Sequence, residues 1–312
     1  MLKDRKAGNS LPSPIVVMQG GLGNQLFLWS FAHSISGPQP FQVDLLKGLG
    51  STEKRDFELL SVLNNCTHVR RDSSGSLWVP RTILLFHLLD RLWRYRFLRP
   101  YIEKLGYIRE DPRFDQIQSN HFPKMIRYAR GYFQKQKNVE QIIDKVRSEI
   151  IPVVEEILPT VLRKFALETN YSVVHIRRGD YEAAEFSPVI IGTLSDEYFT
   201  KGISKFERTK LVFLTEDRGD ILDLITALDP DLVLDKRDTS PWETLAIIYG
   251  SKNFLGSNSS LSWWGARICA IRGGNVWLPS QWSFWENIDP TDYHFPTCKI
   301  TDVYWKQGVN KL

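Results

Sequence analysis

The sequence predicts an α/β fold of two domains, and three observations carry that prediction. Short apolar segments alternate with amphipathic helical segments, which is typical of parallel sheets joined by right-handed crossovers. A glycine-rich turn follows the first apolar segment and precedes a helical pattern, as in the first unit of nucleotide-binding α/β domains. The chain has 312 residues, which is longer than one average domain.

The first predicted strand covers 15–18 and leads into Gln19-Gly20-Gly21-Leu22-Gly23-Asn24-Gln25. Glycines let a backbone approach a ligand closely, and the helix predicted over 26–35 offers free amides at its start. The turn matches neither the dinucleotide-binding glycine pattern nor the phosphate loop. Asn24 and Gln25 can both donate and accept hydrogen bonds, which suits a hydroxyl-rich ligand. A second strand is predicted over 41–45.

The segment 81–109 is apolar and basic, and it allows two interpretations. Its aromatic residues Trp93, Tyr95 and Phe97 alternate with arginines. We favour a core helix with a solvated basic end, and the alternative is peripheral contact with a membrane surface. A helical pattern follows over 139–167, in which Pro152 and Pro159 predict a break or a kink. This pattern is the predicted connection between the domains.

The second domain is predicted from a regular alternation of strands and helices. Its strands are expected at 173–176, 211–214, 232–234, 253–255 and 276–278. Helices are expected to begin near 195, 219 and 240 and after the serine-rich segment 257–260. Asp229-Pro230-Asp231 has the spelling of a metal-binding D-x-D motif, but its place between a helix and a strand predicts a surface turn.

Polar side chains follow three of these strands, and they form three clusters: Arg177, Arg178 and Asp180; Thr215, Glu216 and Asp217; Ser257, Asn258, Ser259 and Ser260. The carboxyl ends of parallel strands share one edge of a sheet, so the clusters are expected to converge. Paired guanidinium groups and a serine-rich helix start both favour an anion, and a diphosphate fits better than one carboxylate. The alternatives are that charged residues merely end a strand at the surface and that a serine merely caps a helix.

The composition excludes several classes of protein. With 42% hydrophobic residues and a net charge of +4, the chain is typical of a soluble globular protein and not of a nucleic-acid binder. Cys66, Cys269 and Cys298 are far apart, so they predict neither a disulfide framework nor a zinc site and fit a reducing cytosol. Residues 1–14 are expected to form a flexible tail and not a secretory signal. No apolar run reaches the about 18 residues of a spanning helix.

Three motifs together resemble the α-1,2-fucosyltransferases of glycosyltransferase family eleven. They are the segments 20–27 (GGLGNQLF), 175–181 (HIRRGDY) and 257–265 (SNSSLSWWG), which occur in the family's order. Gly131-Tyr132-Phe133-Gln134 resembles a further element of the family. The segment 213–217 is similar to the F-x-S-D-D strand end, but Thr215 and Glu216 depart from it, which leaves the role of that cluster open.

The resemblance implies a GT-B architecture, with two Rossmann-like domains whose parallel sheets face a central cleft. We expect an acceptor-side domain over 15–168, a GDP-fucose-binding domain over 169–290 and a tail over 291–312 that packs back on the N-terminal domain. The implied reaction transfers L-fucose from GDP-β-L-fucose to the 2-hydroxyl of a terminal galactose on a glycan, with inversion and without a metal or other cofactor. The implied location is cytoplasmic, with the inner face of the membrane as the alternative.

The resemblance also implies roles for the donor side. Arg178 is expected to neutralise the β-phosphate, while Arg177 either assists or is structural. His175 is expected to touch the guanine or ribose, unless it is a buried histidine bonded to the backbone. The segment 257–260 is expected to seat the diphosphate through Ser259 and Ser260. Asp238 or Glu243 is expected to read the guanine edge.

On the acceptor side, Asn24 and Gln25, with Gly20, Gly21 and Gly23, are expected to approach the fucose from the opposite domain. Asp180 is the candidate general base, and the alternative, which we favour, is an ion pair with one of the two arginines. Two other functions stay open: another inverting GDP-fucose-dependent transferase of the protein O- or α-1,6-type, and a catalytically dead protein that binds GDP or a glycan. The oligomeric state is left open.

Overall fold

A computed structural model describes residues 13–38, 40–44, 58–59, 69–70, 81–110, 126–168, 170–181, 192–207, 209–283 and 289–306. The chain forms two compact units. The first unit is Met1–Gln19, Leu28–Thr52 and Asn65–Phe133, and the second is Gly20–Phe27, Glu53–Asn64 and Gln134–Leu312. This division does not test the domain boundaries expected from the sequence, which stay predictions.

The first unit contains a parallel sheet of five strands in the order β3-β2-β1-β5-β4. Its strands are β1 (Ile15–Val17), β2 (Phe41–Asp44), β3 (Val69–Arg70), β4 (Tyr107–Arg109) and β5 (Tyr128–Arg130). The central strand β1 has its three residues buried. Apolar β-branched residues suit such a position, because both faces of a parallel sheet are covered.

Among the described residues, this unit contains the part of α1 (Leu22–Ser36) that begins at Leu28, together with α2 (Arg81–Leu92), α3 (Arg99–Lys104) and a 3₁₀ turn at Arg96–Leu98. Phe86, Leu89 and Trp93 are buried and pack with Tyr107 and Tyr128 of the sheet. The segment 81–109 is therefore partly a core element, as the favoured interpretation has it.

The second unit contains a parallel sheet of six strands in the order β11-β10-β9-β6-β7-β8. Its strands are β6 (Tyr171–Ile176), β7 (Lys210–Thr215), β8 (Leu232–Leu234), β9 (Asn253–Leu255), β10 (Asn275–Pro279) and β11 (Lys299–Thr301). The strands predicted for this domain are confirmed to within two residues at each end. With both sheets parallel, the predicted α/β class is confirmed.

The last strand corrects the expectation for the tail. Residues 291–312 are expected to pack back on the N-terminal domain, but β11 lies at the edge of the second sheet, paired with β10. Beyond it, Trp305 bridges to Leu194, and the amide of Ser195 donates to the carbonyl of Tyr304 at 2.7 Å. The alternation of Lys299-Ile300-Thr301 is too short a pattern to identify a strand from sequence.

The helices of the second unit are α4 (Gln136–Glu140), α5 (Ile151–Lys164), α6 (Asp196–Ile203), α7 (Leu222–Leu228), α8 (Pro241–Gly250) and α9 (Ser260–Arg272). A short helical segment, Ile143–Lys145, and a π-helical turn, Val146–Ile150, lead into α5. Of the predicted break or kink, a break does not occur at Pro159, whereas Pro152 marks the start of a new helical segment. Pro152 lies in the first turn of α5, where its missing N–H costs nothing, and the helix continues through Pro159 because Val154 and Val161 hold it in the core.

Among the described helices, none has the length and apolar character needed to span a membrane.

Candidate functional site

The central strand β6 of the second sheet lies between β7 and β9, and polar segments follow both β6 and β9. Val174 of β6 is opposite Leu255 of β9, so the two strands end side by side. This places the segment that begins at Arg177 next to the serine-rich segment that begins at Ser257. The two motifs therefore converge at this edge of the sheet, as predicted.

A buried hydrogen-bond network joins the two motifs. His175 Nδ1 shares a hydrogen bond of 2.5 Å with Ser262 Oγ, and Ser262 Oγ accepts from the Ser257 amide at 3.1 Å. Burial, assisted by the positive charge of Arg177, lowers the pKa of His175 to about 3, so the imidazole is neutral. The alternative interpretation, a buried histidine bonded to the backbone, is correct in the burial of His175. It is wrong about the hydrogen-bond partner, which is the Ser262 side chain. The expected contact of His175 with guanine or ribose stays a prediction.

Arg177 directly follows Ile176, the last residue of β6. Its guanidinium pairs with the Glu216 carboxylate and lies 5.6 Å from the centre of the Tyr181 ring. The Tyr181 hydroxyl in turn donates to the Asn258 carbonyl at 3.3 Å. Arg177 is thus connected to the serine motif through one aromatic side chain. The pairing also gives a function to Glu216, where the sequence departs from the family pattern.

Arg178 is almost completely buried, with 4% of its surface exposed. Its guanidinium pairs with the Asp196 carboxylate at the start of α6 and donates to the Leu194 carbonyl at 3.4 Å. It also lies 5.8 Å from the centre of the Phe199 ring. The structure therefore surrounds Arg178 with partners from its own unit, while the phosphate contact expected of it stays a prediction.

The serine motif is buried over residues 257–259. Asn258 is buried, and its amide nitrogen donates to the carbonyls of Gly192 and Trp282 at 3.0 and 3.2 Å. Ser259 is the N-cap residue of α9 but makes no side-chain capping hydrogen bond, so capping does not explain it. Ser260 opens the helix and is half-buried. The first amides of α9 have no intrahelical partner, and the helix dipole makes this end positive.

The glycine-rich turn lies against the same helix start. A Cβ added at Gly23 would be 2.4 Å from the Leu261 backbone nitrogen, so only glycine fits there. The Phe27 ring lies 4.8 Å from Trp263 and 5.6 Å from Trp264, measured between ring centres. Both tryptophans are fully buried.

The turn is expected to approach the fucose from the opposite domain, and this stays a prediction. In the structure Gly20–Phe27 is grouped with the second unit, since Gly23 closely contacts α9. The sequence shows the two motifs without showing that they touch.

The amide side chains beside the turn are engaged inside the unit. Asn24 Oδ1 accepts a hydrogen bond of 2.7 Å from Gln134 Nε2, which belongs to the segment 131–134. Gln25 is buried, donates to the Gly20 carbonyl at 2.9 Å and accepts from the Leu59 amide at 3.0 Å. Gln25 therefore shapes the turn, and the fucose contacts expected of Asn24 and Gln25 stay predictions.

The two carboxylates expected to read guanine also have partners. Asp238 pairs with Arg218, and Glu243 closes a capping box with Ser240 at the start of α8. Lys164 Nζ connects the two, because it donates to the Asp238 carbonyl at 2.7 Å and lies 3.0 Å from Glu243 Oε1. The sequence does not distinguish a capping glutamate from a base-reading one.

Sequence reasoning missed Asp235 and Ser262. Asp235 is buried after β8, and hydrogen bonds from Arg237 hold the pKa of its carboxyl well below the usual range. The run of four charged residues over 235–238, directly after a predicted strand, is a signal that could have found it. Ser262 is a small polar residue on the buried side of α9, inside the motif itself.

The side chain of Asp180 and the residue Cys66 lie outside the described residues. Arg177 and Arg178 each have a carboxylate partner, Glu216 and Asp196 respectively, whatever Asp180 contributes. Across the described part of the chain, no group of three or more His, Cys, Asp or Glu side chains is arranged to hold a metal ion.

The chain was compared with known families and structures. A family model described as Glycosyl transferase family 11 matches residues 83–284, more than half of the chain. Among solved structures, a mutant of FUT1 from Arabidopsis thaliana in complex with GDP is similar, with a TM-score of 0.42 and 9% identity over 86% of this chain and 70% of that one. Fucosyltransferase NodZ from Bradyrhizobium gives a TM-score of 0.40 and 13% identity over 81% of this chain and 92% of that one. Among curated protein sequences, none matches.

Proposed function

Because this chain belongs to glycosyl transferase family 11, the fucosyltransferase family that its motifs predict, we propose that it transfers L-fucose from GDP-β-L-fucose to the 2-hydroxyl of a terminal galactose on a glycan. The observation that carries the proposal is the junction of two motifs at the end of the second sheet. His175 bonds to Ser262, and Arg177 reaches Asn258 through Tyr181. These contacts connect the Arg177 guanidinium with the serine segment that precedes the positively polarised start of α9.

The donor diphosphate is proposed to lie at the start of α9. Ser259 and Ser260 would contribute hydroxyls and amides, and Arg177 would approach from the adjacent strand end. What supports Arg177 for this task is its contact with Tyr181, whose hydroxyl donates to the Asn258 carbonyl of the serine motif. Arg178, which the resemblance identifies as the essential arginine, would act from the buried side by fixing the strand end against α6.

Departure of GDP places negative charge on the β-phosphate in the transition state. Fixed positive groups stabilise such charge without reorganisation. Removing one hydrogen-bond donor of this kind raises the activation free energy by about 3–4 kcal/mol. Arg177 and the α9 dipole supply positive charge of this kind, which supports a reaction without a metal ion. Direct displacement on a β-linked donor would give an α-linked product.

The acceptor hydroxyl must lose a proton during the displacement, and a carboxylate is the usual base. Asp180 is proposed for this role because it follows the two arginines at the end of β6. The competing role, an ion pair with one of them, predicts a loss of stability on substitution. Asp180→Asn separates the two, since loss of turnover at an unchanged melting temperature supports the base.

The proposal is tested by incubating the purified chain with GDP-β-L-fucose and three acceptors: a phenyl β-galactoside, a hydroxyl-bearing peptide and a chitin oligosaccharide. We expect release of GDP with the galactoside alone and an α-1,2 linkage by NMR. Transfer to the peptide or the chitin oligosaccharide would contradict the galactose acceptor. GDP binding without turnover on any acceptor would instead favour the catalytically dead protein.

A further inference from the structure

Large apolar side chains are exposed together in one short segment of the first unit. Among the described residues, eight large hydrophobic side chains are exposed, and six of them belong to the segment 85–105: Leu85, Leu88, Tyr95, Phe97, Tyr101 and Leu105. Phe97 is 72% exposed and Tyr101 is 66% exposed. Such a concentration is unlike the scattered exposed side chains of an ordinary surface, and it indicates an interaction site.

The packing of this segment against the core does not explain why these six side chains are exposed. Within α2, Phe86 and Leu89 face the core, whereas Leu85 and Leu88 are one residue earlier and half exposed. Helical positions three apart share a face, so α2 has a second apolar face beside the one that folding uses. The favoured interpretation, a core helix with a solvated basic end, therefore accounts for one face only.

The exposed apolar residues lie among cations. Arg91, Arg94 and Lys104 are exposed. The Arg94 guanidinium lies 4.9 Å from the centre of the Tyr95 ring, and Lys104 Nζ lies 5.7 Å from the centre of the Tyr101 ring. Long cationic side chains beside aromatic rings can extend toward phosphate groups while the rings enter an apolar layer.

Acidic residues do little to offset these charges. The segment 85–105 has five basic residues and two acidic ones, Asp90 and Glu103. The Asp90 carboxylate pairs with Arg130 and lies 3.2 Å from Arg109 Nη1, so it is already neutralised by residues outside the segment. The surface formed by residues 85–105 is therefore both apolar and positive.

We propose that the surface formed by residues 85–105 docks on an anionic lipid bilayer. Phe97, Tyr101 and the two exposed leucines of α2 would enter the headgroup region, and Arg91, Arg94 and Lys104 would contact lipid phosphates. Aromatic side chains with flanking cations are the composition of interfacial membrane segments. The positive surface matches anionic headgroups in charge, which favours a membrane over a neutral apolar protein groove. The inference is independent of the donor and acceptor of the enzyme.

Co-sedimentation with lipid vesicles tests the proposal on the full chain. We expect binding to vesicles of phosphatidylcholine with phosphatidylglycerol, and little binding to phosphatidylcholine alone. Binding should weaken as salt rises, because the Debye length falls to about 8 Å at physiological ionic strength. The double variant Phe97→Ser/Tyr101→Ser should bind about tenfold more weakly. Arg94→Glu/Lys104→Glu should lose at least about fivefold, as expected for cations near a charged bilayer.

Equivalent substitutions outside the surface formed by residues 85–105 control for a general change in surface hydrophobicity or charge. Leu222 and Ile300 are the other two large hydrophobic residues exposed in the described part of the chain, at 60% and 50%. Leu222→Ser/Ile300→Ser should bind vesicles like the native chain, as should Arg163→Glu on the exposed side of α5. Circular dichroism confirms that each variant is folded.

Three outcomes would overturn the proposal. The first is an absence of binding to phosphatidylglycerol vesicles at low salt. The second is an equal loss in the Phe97/Tyr101 and Leu222/Ile300 variants. The third is a dimer in sedimentation velocity that Phe97→Ser/Tyr101→Ser dissociates while the native chain ignores vesicles, since the surface would then join two copies of the chain.

Discussion

Arg177 and Arg178 are neighbours in the sequence but have different surroundings. Arg177 pairs with Glu216 and lies near the serine motif, whereas Arg178 is buried against Asp196. The sequence could predict that an arginine pair ends this strand, because a charged run follows an apolar one. It could not predict which arginine faces the motif, because that depends on how far the strand alternation continues past Ile176.

Conservative substitution of each arginine tests this division. Lysine keeps the charge but loses the planar fork, so Arg177→Lys should slow turnover about 10- to 150-fold, which corresponds to about 1.5–3 kcal/mol. Its melting temperature should change little. Arg178→Lys should instead lower the free energy of unfolding by about 1–3 kcal/mol, because its buried partners lose hydrogen bonds. Kinetics and thermal melts measure both, and the reverse pattern would exchange the two roles.

The neutral His175 predicts a pH dependence of stability. Its folded-state pKa of about 3 lies below the ordinary value of 6.5, so the unfolded chain takes up the proton first as pH falls. Stability from this group is complete above about pH 6.5 and decreases toward about pH 3. At about pH 5 the loss should be about 2 kcal/mol relative to neutral pH.

Denaturant unfolding of the native chain and His175→Asn at several pH values measures this effect. The difference between the two profiles isolates His175 from the other titrating groups. We expect the variant to lose less stability than the native chain between about pH 6.5 and pH 5. Parallel profiles would contradict a buried neutral imidazole.

Among the secondary-structure elements, α1 and α9 carry the two longest motifs, and their starts pack against each other. Gly23 approaches the Leu261 amide, and Phe27 packs on Trp263 and Trp264. The order of strands and helices could be predicted from hydrophobic alternation and capping residues. The contact between α1 and α9 could not, because the residues lie far apart in sequence and nothing local specifies it. The continuation of α5 through Pro159 was missed for the same reason, since tertiary packing decides it.

Gly23→Ala tests the contact between α1 and α9. The added methyl meets backbone atoms, so we expect a loss of about 1–3 kcal/mol in unfolding free energy. Displacing the helix start should also reduce turnover about 100-fold, as small misplacements of positioning groups do.

Gly37→Ala is the control, because Gly37 has a φ of +57° and no atom within 4 Å of the added methyl. It should cost about 1–2 kcal/mol of stability through backbone strain alone and leave turnover unchanged. If Gly23→Ala also left turnover unchanged, the contact between the motifs would have no part in the reaction.

At the scale of the whole molecule, composition and βα alternation were sufficient to predict two parallel sheets, and three co-ordered motifs were sufficient to predict the family. Both predictions are confirmed. The expected packing of the tail was wrong for its described residues, because that packing depends on long-range contacts. The roles of individual side chains stay predictions.

The proposed reaction proceeds without a metal ion, and this prediction concerns the molecule as a whole. Asp229-Pro230-Asp231 forms the predicted turn between a helix and a strand, since Asp229 is the left-handed C-cap of α7 and Asp231 Oδ2 accepts from the Leu211 amide at 2.6 Å. We expect fucosyl transfer to continue in excess EDTA, with GDP release as the measurement. Loss of activity that manganese restores would contradict the account of charge stabilisation by arginine and helix α9.

The central claim is that a nucleoside diphosphate binds where β6 and β9 of the second sheet end. A crystal structure of the chain soaked with GDP tests it most directly. We expect diphosphate oxygens within about 3 Å of the first α9 amides and of the Arg177 guanidinium. A diphosphate bound at any other edge of the molecule, or at this edge without contact to the serine motif, would contradict the claim.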